Sequence, residues 1–382
     1  MTVRPSLATR LAQPWGDPSG PVTPPIHQTS LFTFEDYAAF EARMAGQSDE
    51  PLYTRVQNPT VAAFERMMAD LEGGEAAVGF ASGMGAISAT LLALVRPGMR
   101  VACVEHVYPD AYRLLERMVR PMGVEVAYHS PRALAEEPEL LKGVDLAYLE
   151  SPNSLVLEPM DLPRVAGNAR RHGTLTVVDN SWATPVHQRP LELGIDVVLH
   201  SASKYISGHS DTVAGVVVSS ADLIGRLRDL TLPYLGAKLA PFEAWLLIRG
   251  LRTLVPRMRM HEATANLFVD RLAARPEVAR IRSPGPNAVP GLSGRSGLLS
   301  IELADHLDIR RFADGLRLFR LGVSWGGFES LVVPAAITLA QAGEKNSAQR
   351  FGVSPRLVRL SLGLEDPEDL WADLAGALEA AA

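Results

Sequence analysis

The chain has 382 residues, with 37 Lys plus Arg against 43 Asp plus Glu and a formal net charge of −6. This length predicts about two to three domains and a large hydrophobic core. An apolar fraction of 47% and a charged fraction of 21% exclude a disordered or fibrous chain, and the small negative charge gives no electrostatic basis for binding nucleic acid or anionic lipid.

The N-terminal region is rich in proline and contains no apolar stretch long enough for a signal peptide, so we expect a cytoplasmic protein. The prolines of residues 1–30 are Pro5, Pro14, Pro18, Pro21, Pro24 and Pro25. Such a segment is expected to form neither a helix nor a central strand. It is either a flexible tail or an extended arm, and we interpret residues 1–55 as an arm that contacts a neighbouring subunit.

Short apolar runs recur from about residue 75 onward, with helical patterns such as residues 111–120 and 162–172 between several of them. The runs cover residues 76–80, 101–104, 124–128, 144–149, 175–178, 195–199 and 213–218. This alternation predicts an α/β fold whose mostly parallel central sheet is covered by helices on both faces. The single cysteine, Cys103, lies in one of these runs and is interpreted as a buried core residue, not a catalytic thiol.

One part of this region has the length of a membrane span, because residues 76–95 are 20 residues without a charge. Gly79, Gly83 and Gly85 interrupt the stretch, so we interpret it as a strand, a glycine turn and a helix. We expect no contact with a membrane.

The sequence pattern changes near residue 240, where an amphipathic helical segment over residues 240–254 begins. Helical periodicity continues to about residue 275, and strand-like runs follow at residues 297–302 and 331–333 before a final helix over residues 367–381. We therefore expect an α/β domain over residues 56–240 and a smaller α+β domain over residues 241–382.

A lysine, Lys204, directly follows a predicted buried strand, with Ser201 and Ser203 beside it. Burial disfavours the ammonium form, so a lysine in this place can act as a neutral amine and form a Schiff base with an aldehyde. The alternative is a lysine at a strand end that reaches solvent, and this segment alone does not decide between the two.

Another predicted strand ends in Asp179, 25 residues before Lys204. The C-terminal ends of parallel strands share one edge of a sheet, so both side chains can lie in one crevice. There a carboxylate could keep a pyridine nitrogen protonated. A helix N-cap is the alternative role for this aspartate.

The glycine turn Gly79-Phe-Ala-Ser-Gly-Met-Gly85 precedes a predicted helix, and its backbone N–H groups would form an anion site. Its spacing fits neither the dinucleotide fingerprint nor a Walker lysine motif. Three features together indicate pyridoxal 5′-phosphate: a lysine that can react with an aldehyde, an aspartate that can keep a pyridine nitrogen protonated, and a site for a phosphate group.

The chain resembles the Cys/Met-metabolism family of pyridoxal-phosphate enzymes of fold type I over nearly its whole length, and within that family it resembles the cystathionine β-lyases most. The matching motifs are Tyr53-Thr-Arg-Val-Gln-Asn-Pro-Thr60, Ser82-Gly-Met84, Val178-Asp-Asn-Ser-Trp-Ala-Thr-Pro185, His200-Ser-Ala-Ser-Lys-Tyr205, Gly208-His-Ser-Asp211 and Val358-Arg-Leu-Ser-Leu-Gly-Leu-Glu365.

This resemblance implies roles for individual residues. Lys204 would be the Schiff-base lysine, Asp179 would pair with the pyridinium, and the ring of Tyr108 would stack on the cofactor and take part in catalysis. The remaining implied cofactor contacts are Ser82, Gly83, Met84, Ser181, Ser201 and Ser203, together with Tyr53 and Arg55, which would reach the phosphate of a neighbouring subunit across a dimer interface. The implied substrate contacts are Arg359, as a fork for the α-carboxylate, with Ser324 and Trp325.

Three segments favour β-elimination within the family, because they resemble those of β-lyases: Ser324-Trp-Gly-Gly-Phe-Glu-Ser330, Glu150-Ser-Pro-Asn-Ser154 and Leu360-Ser-Leu-Gly-Leu-Glu-Asp366. The chain departs from the family at Pro109-Asp110, where a glycine pair is common, and at Val323, where close β-lyase relatives carry tyrosine.

We predict α,β-elimination of cystathionine or a related cysteine S-conjugate to thiol, pyruvate and ammonia. The expected assembly is a homo-oligomer, a dimer of dimers with the active site shared across the dimer interface. The alternatives are γ-elimination or γ-replacement, a nicotinamide oxidoreductase, and a non-catalytic relative that serves as a binding scaffold.

Overall fold

The computed structural model describes residues 5–13, 20–343 and 345–382, so Pro14 and Pro18 of the predicted arm lie outside the described residues. The strands are β1 (Ala76–Phe80), β2 (Arg100–Val104), β3 (Glu125–His129), β4 (Leu146–Glu150), β5 (Leu175–Asp179), β6 (Val197–Ser201), β7 (Gly215–Ser219), β8 (Val278–Arg282), β9 (Leu298–Leu303), β10 (Arg320–Leu321), β11 (Leu331–Pro334) and β12 (Leu357–Ser361).

The helices of the described residues occur before, between and after these strands. They are α1 (Leu7–Ala12), α2 (Tyr37–Met44), α3 (Pro59–Glu72), α4 (Gly83–Leu94), α5 (Pro109–Leu114), α6 (Pro131–Glu136), α7 (Leu162–His172), α8 (Thr184–His187), α9 (Ala221–Leu230), α10 (Leu232–Leu235), α11 (Pro241–Arg252), α12 (Leu254–Leu272), α13 (Ile309–Gly315), α14 (Ala335–Leu339), α15 (Ser347–Arg350) and α16 (Pro367–Ala380). A π-helical turn, Leu115–Val119, continues α5.

The first seven strands form one sheet in the order β1-β7-β6-β5-β4-β2-β3. Strand β7 pairs antiparallel with both of its neighbours, and the pairs from β6 to β3 are parallel. The predicted mostly parallel sheet is therefore confirmed. Each of the seven apolar runs predicted from residue 75 onward forms a strand, displaced by two residues or fewer.

Both faces of this sheet are covered, which explains why its strands are nearly continuous apolar runs. Alternate residues of β1 belong to different hydrophobic clusters: Val78 lies in the cluster that includes α4, and Ala77 in the cluster that includes α3 and α11. Cys103 in β2 is fully buried, as predicted for a core residue. The 76–95 stretch forms β1, the glycine turn and α4.

The strands that follow residue 240 form a separate five-stranded sheet in the order β10-β11-β12-β9-β8. Strand β12 lies between β11 and β9, and it carries Arg359. A cluster that includes Phe268, Phe312 and Phe319 packs α12, α13 and α16 against this sheet. The predicted strand-like runs and the final helix of this region are all present.

The expectation that residues 1–30 contain no helix is wrong, since α1 forms at Leu7–Ala12. These six residues contain no proline, and the hydroxyl of Ser6 caps their first turn. Leu11 is buried, and Arg10 forms an ion pair with Asp70 at 2.5 Å, so α1 packs against α3. Among the described residues, no helix combines the length and the apolarity that crossing a bilayer would require.

Candidate active site

Lys204 lies just after β6, where its backbone N–H donates to the carbonyl of Ser201. Its Nζ donates to Ser324 Oγ at 2.5 Å and lies 5.3 Å from the ring centroid of Trp325. Burial lowers the pKa of Lys204 to about 8, helped by the positive charge of Arg359 and opposed by Asp179. At neutral pH the side chain therefore has a substantial uncharged fraction that a solvated lysine lacks.

Asp179 ends β5 on the same edge of the sheet as Lys204. Its Oδ1 accepts the backbone N–H of Ser181 at 2.9 Å and the hydroxyl of Ser181 at 2.6 Å. The same hydroxyl accepts the backbone N–H of Ser201 at 2.7 Å, so Ser181 joins the ends of β5 and β6. Burial raises the pKa of Asp179, and the two hydrogen bonds from Ser181 oppose this shift.

A second carboxylate, Glu150, ends β4 and is in register with Asp179. It accepts the backbone N–H of Tyr108 at 2.7 Å. Burial, followed by the negative charge of Asp179, raises the pKa of Glu150. Two neighbouring, partly buried carboxylates form a site that a cationic nitrogen heterocycle would stabilise, so this edge fits the pyridinium ring of pyridoxal phosphate. Sequence reasoning gave Glu150 no role, although it ends an apolar strand in the same way as Asp179.

Tyr108 follows β2 and precedes the first residue of α5. Its side chain is 39% exposed, and its hydroxyl donates to Asp110 at 3.1 Å. Burial and the negative charge of Asp110 raise the pKa of Tyr108 to about 12, with smaller contributions from Glu150 and Asp179. The ring therefore lies near both strand-end carboxylates, as a stacking role requires.

The start of α4 lies against the end of β6 and forms a narrow cradle. A Cβ on Gly83 would lie 2.9 Å from Ser201 Oγ, and a Cβ on Gly215 would lie 2.3 Å from the carbonyl oxygen of Ser82. Ser82 Oγ accepts the N–H of Gly85 at 2.8 Å. The N–H groups of Gly83 and Met84, which begin the helix, have no acceptor within it.

This donor set fits a phosphate group, because helix-start amides and hydroxyls bind anions. Ser201 adds its hydroxyl beside Gly83. Ser203 Oγ is already engaged with Ala214, accepting its N–H at 2.9 Å and donating to its carbonyl at 3.2 Å. A hydroxyl with both of these bonds retains one lone pair but no proton for a phosphate oxygen.

Arg359, on β12, approaches Lys204 from the second sheet. Its Nη2 donates to the carbonyl of Ser324 at 3.0 Å, and burial lowers its pKa to about 10. Ser324 has φ +81°, a conformation that a non-glycine residue rarely adopts. Trp325 packs on the ring of Tyr205, with centroids 5.4 Å apart. The structure thus brings together Lys204 and all three predicted substrate contacts.

Tyr53 and Arg55 lie elsewhere. Tyr53 is 44% exposed, and the Arg55 guanidinium lies over its ring, 5.7 Å from the centroid. Arg55 also donates to the carbonyl of Pro233 at 3.2 Å. The contacts described for this pair do not include Lys204 or Asp179 of the same chain. That these residues reach the phosphate of a neighbouring subunit stays a prediction.

Sequence reasoning also missed a buried polar pair behind the sheet edge. The side chains of Glu72 and His200 are both 0% exposed, with Oε1 and Nε2 2.6 Å apart. Asn180 also donates to Glu72 Oε1, at 3.1 Å. The available signal was a histidine inside an otherwise apolar strand, since a buried imidazole requires a partner.

Comparison with known proteins shows one consistent set of relatives. A match to the family described as Cys/Met metabolism PLP-dependent enzyme covers residues 10–379. The L-methionine gamma-lyase of Pseudomonas putida is 40% identical, over 99% of this chain and 98% of its own. The cystathionine beta-lyase of Lactococcus lactis subsp. cremoris is 36% identical, over 94% and 95%. The crystal structure of a cystathionine gamma synthase from Xanthomonas oryzae pv. oryzae superposes with a TM-score of 0.89 at 34% identity, over 99% of both chains.

Proposed function

Since the chain belongs to the Cys/Met metabolism family of pyridoxal-phosphate-dependent enzymes, we propose that it is a carbon–sulfur lyase that carries out α,β-elimination on cystathionine or a related cysteine S-conjugate. Its products would be a thiol, pyruvate and ammonia. The cofactor is pyridoxal 5′-phosphate, and the fold is that of fold type I enzymes. The predicted family, cofactor and fold class are confirmed, and the chain is an enzyme of carbon–sulfur chemistry.

The contact that best supports a lyase acting on an amino acid is made by Ser324. Its hydroxyl accepts from Lys204 Nζ at 2.5 Å, and its carbonyl accepts from Arg359 at 3.0 Å. One residue thus holds an amine with a lowered pKa next to a guanidinium that can bind a carboxylate. An α-amino acid whose carboxylate is bound by Arg359 would place its Cα–H close to that amine.

Two of the three segments that resemble those of β-lyases border this site, which favours β-elimination. Segment 324–330 supplies Ser324 and Trp325 next to Lys204. Segment 150–154 supplies Glu150, which accepts the backbone N–H of Tyr108. Segments 324–330 and 150–154, which resemble those of β-lyases, therefore both contribute residues to the proposed active site.

The residues of the chain have distinct parts in the proposed reaction. Asp179 and Glu150 would hold the ring nitrogen, Tyr108 would cover the ring, and the start of α4 would hold the phosphate. When bound, pyridoxal 5′-phosphate supplies an electron sink for the negative charge left at Cα. Arg359 orients the substrate by its carboxylate.

Lys204 takes the Cα proton as a neutral amine. With a pKa of about 8, roughly a quarter of such amines are uncharged at pH 7.5, against about one in a thousand for an ordinary lysine. The departing thiolate then takes a proton either from Lys204 or from Tyr108. General acid–base catalysis of this kind contributes about 10²–10⁴-fold to the rate.

Identification of the keto acid tests the proposal. The holoenzyme is incubated with cystathionine, with cysteine S-conjugates and with O-acylhomoserines, and Lys204→Ala serves as the inactive control. Pyruvate from the first two substrates supports β-elimination. If 2-oxobutyrate is the only keto acid, or if Lys204→Ala has the same activity, the proposal is wrong.

A second candidate, γ-elimination, is favoured by the 40% identity to two L-methionine gamma-lyases. Methionine is the substrate that separates the candidates, because γ-elimination converts it to 2-oxobutyrate, methanethiol and ammonia. Conversion of methionine at a higher kcat/KM than cystathionine would favour this second activity. A γ-replacement would instead require a thiol acceptor and would release no keto acid in its presence.

We also propose a homotetramer with a shared active site, in which Tyr53 and Arg55 contact a neighbouring subunit. Their exposed position next to Pro233 supports an intersubunit role. Sedimentation equilibrium would measure the assembly, and a monomer with full cofactor affinity would contradict it. The cytoplasmic location stays an expectation from the sequence.

The proposed domain boundary near residue 240 falls between the two sheets, which occupy residues 76–219 and 278–361. Limited proteolysis would test it, and fragments that end near residue 240 are expected. Cleavage within residues 76–219 before any other site would contradict it.

A further inference from the structure

The hydroxyl of Tyr108 has a hydrogen-bond partner of its own. Oη donates to Asp110 Oδ2 at 3.1 Å, while the backbone N–H of Tyr108 donates to Glu150. Asp110 is one of the two positions at which the sequence departs from the glycine pair common in the family.

Side chains from two regions of the chain fix the Asp110 carboxylate in place. Arg113 Nη1 donates to Asp110 Oδ1 at 2.8 Å, and Arg113 Nη2 donates to Gln341 Oε1 at 2.6 Å. Gln341 also accepts from Asn346 at 3.2 Å. One oxygen of Asp110 is thus bound to Arg113, which leaves the other oxygen facing Tyr108.

The backbone next to Tyr108 is held from the same side. Ser347, in α15, donates its buried hydroxyl to the carbonyl of Val107 at 2.6 Å. Gln341 and Ser347 of the C-terminal region therefore contact, respectively, the arginine that holds Asp110 and the residue before Tyr108. The tyrosine and its partner are fixed relative to each other by long-range contacts.

An aspartate in the first turn of a helix commonly caps that turn, so this role must be considered for Asp110. The first turn of α5 has no side-chain cap hydrogen bond. Both carboxylate oxygens of Asp110 instead bond to the side chains of Tyr108 and Arg113. Helix capping therefore does not account for the contacts of Asp110.

We propose that Asp110 is a positioning residue that keeps Tyr108 as a neutral hydrogen-bond donor throughout turnover, so that Lys204 supplies the proton to the departing thiolate. This inference rests on the proposed function, because it deepens the role of Tyr108 in the same reaction. The proton balance is closed: Lys204 Nζ takes the proton when the Cα–H bond breaks, and gives it to sulfur when the Cβ–S bond breaks.

The charges around the hydroxyl agree with this assignment. A tyrosinate at Tyr108 would face the negative charges of Asp110, Glu150 and Asp179, and burial would disfavour it further. The positive groups near it are Arg113, already bound to Asp110, and Arg359, whose Nη2 donates to Ser324. Repulsion therefore dominates, and the pKa of Tyr108 is raised to about 12.

The first test is an ultraviolet titration of tyrosinate in the holoenzyme. The spectrum of Tyr108→Phe is subtracted from that of its parent to isolate Tyr108, once with Asp110 present and once in Asp110→Asn. With Asp110 present, we expect no ionisation of Tyr108 below pH 11. In Asp110→Asn, it should ionise at least about one pH unit lower, and Asp110→Glu should restore the parent behaviour.

A matched control is Asp222→Asn, an exposed aspartate in the first turn of α9, which should leave the titration unchanged. The second test is the pH profile of kcat/KM. With Asp110 present, Tyr108→Phe should keep the rate within about tenfold and leave the alkaline limb in place, since Lys204 is the proton donor.

Two results would overturn the inference. One is a pH midpoint for the ionisation of Tyr108 that is the same in the parent protein and in Asp110→Asn. The other is a loss of more than about tenfold in the kcat/KM of Tyr108→Phe with its cofactor content unchanged, which would make the hydroxyl the proton donor. Because the titration does not depend on which keto acid forms, it separates failure of this inference from failure of the proposed function.

Discussion

The buried pair of Glu72 and His200 should be one of the most sensitive points for stability. Both side chains are 0% exposed, and the 2.6 Å contact is short for a bond between nitrogen and oxygen. Replacing Glu72 by Leu leaves His200 Nε2 and Asn180 Nδ2 without their shared acceptor. We expect a loss of about 3–5 kcal/mol in the free energy of unfolding, as for other buried pairs that lose one partner.

A double-mutant cycle isolates this interaction. The single variants Glu72→Leu and His200→Leu are compared with the double variant by urea unfolding at fixed protein and cofactor concentration. Since replacement of both partners by apolar groups is often close to neutral, the double variant should recover at least about 2 kcal/mol relative to the sum of the single losses. Asn180 Nδ2 also donates to the carbonyl of Gln188, so the side chain of Asn180 should keep its position in the variants.

The result that would refute this reasoning is additivity. If the losses of the two single variants sum to that of the double variant within about 0.5 kcal/mol, the pair makes no specific contribution. The control is Arg132→Gln, which removes the exposed ion pair with Glu136 in α6. Surface pairs of this kind contribute about 0–1 kcal/mol, so this variant should change little.

Three further predictions concern the cofactor. Arg55→Ala should weaken binding of pyridoxal phosphate, because the proposed contact with the phosphate of a neighbouring subunit would be lost. Equilibrium dialysis measures the Kd, and an unchanged Kd would argue against a shared site. Gly83→Ala should raise the Kd for pyridoxal phosphate at least about tenfold, since the new Cβ would lie 2.9 Å from Ser201. The control Gly167→Ala, in α7, should not change the Kd, because the space around this glycine is open. Equal effects of the two substitutions would contradict the proposed phosphate site. The rate at which cofactor-free protein binds pyridoxal phosphate covalently should rise with pH and level off near pH 8. The reason is that the neutral form of Lys204 reacts, and the pKa of Lys204 is lowered to about 8. A rate that still rises tenfold per pH unit above pH 9 would show a lysine with an ordinary pKa.

The parts of the fold that the sequence predicts well are those with a local signal. Apolar runs predicted the strands of the first sheet, because a strand buried on both faces needs no partner to be recognised in the sequence. The ends of those runs predicted Asp179 and Lys204 at one edge, since parallel strands end together. Glu150 could have been included on the same grounds.

The contacts that the pattern of residues alone could not predict join residues that are far apart along the chain. Glu72 and His200 are 128 residues apart, and Lys204 and Ser324 are 120 residues apart. No periodicity relates such positions, because the packing of whole elements brings them together. The helix α1 was missed for a different reason: the average proline content of residues 1–30 concealed a short segment without proline.

The reversed strand β7 has a consequence for the order of events during synthesis. Strand β1 is at the edge of its sheet, and β7 is its strand partner, so residues 76–80 remain without a neighbouring strand until residues 215–219 have left the ribosome. Pairing over such a sequence separation is intrinsically slow. Because Gly215 also lies against Ser82, the proposed phosphate site would be complete only once β7 has paired with its neighbours. We therefore expect pyridoxal phosphate to bind late, after the sheet has closed.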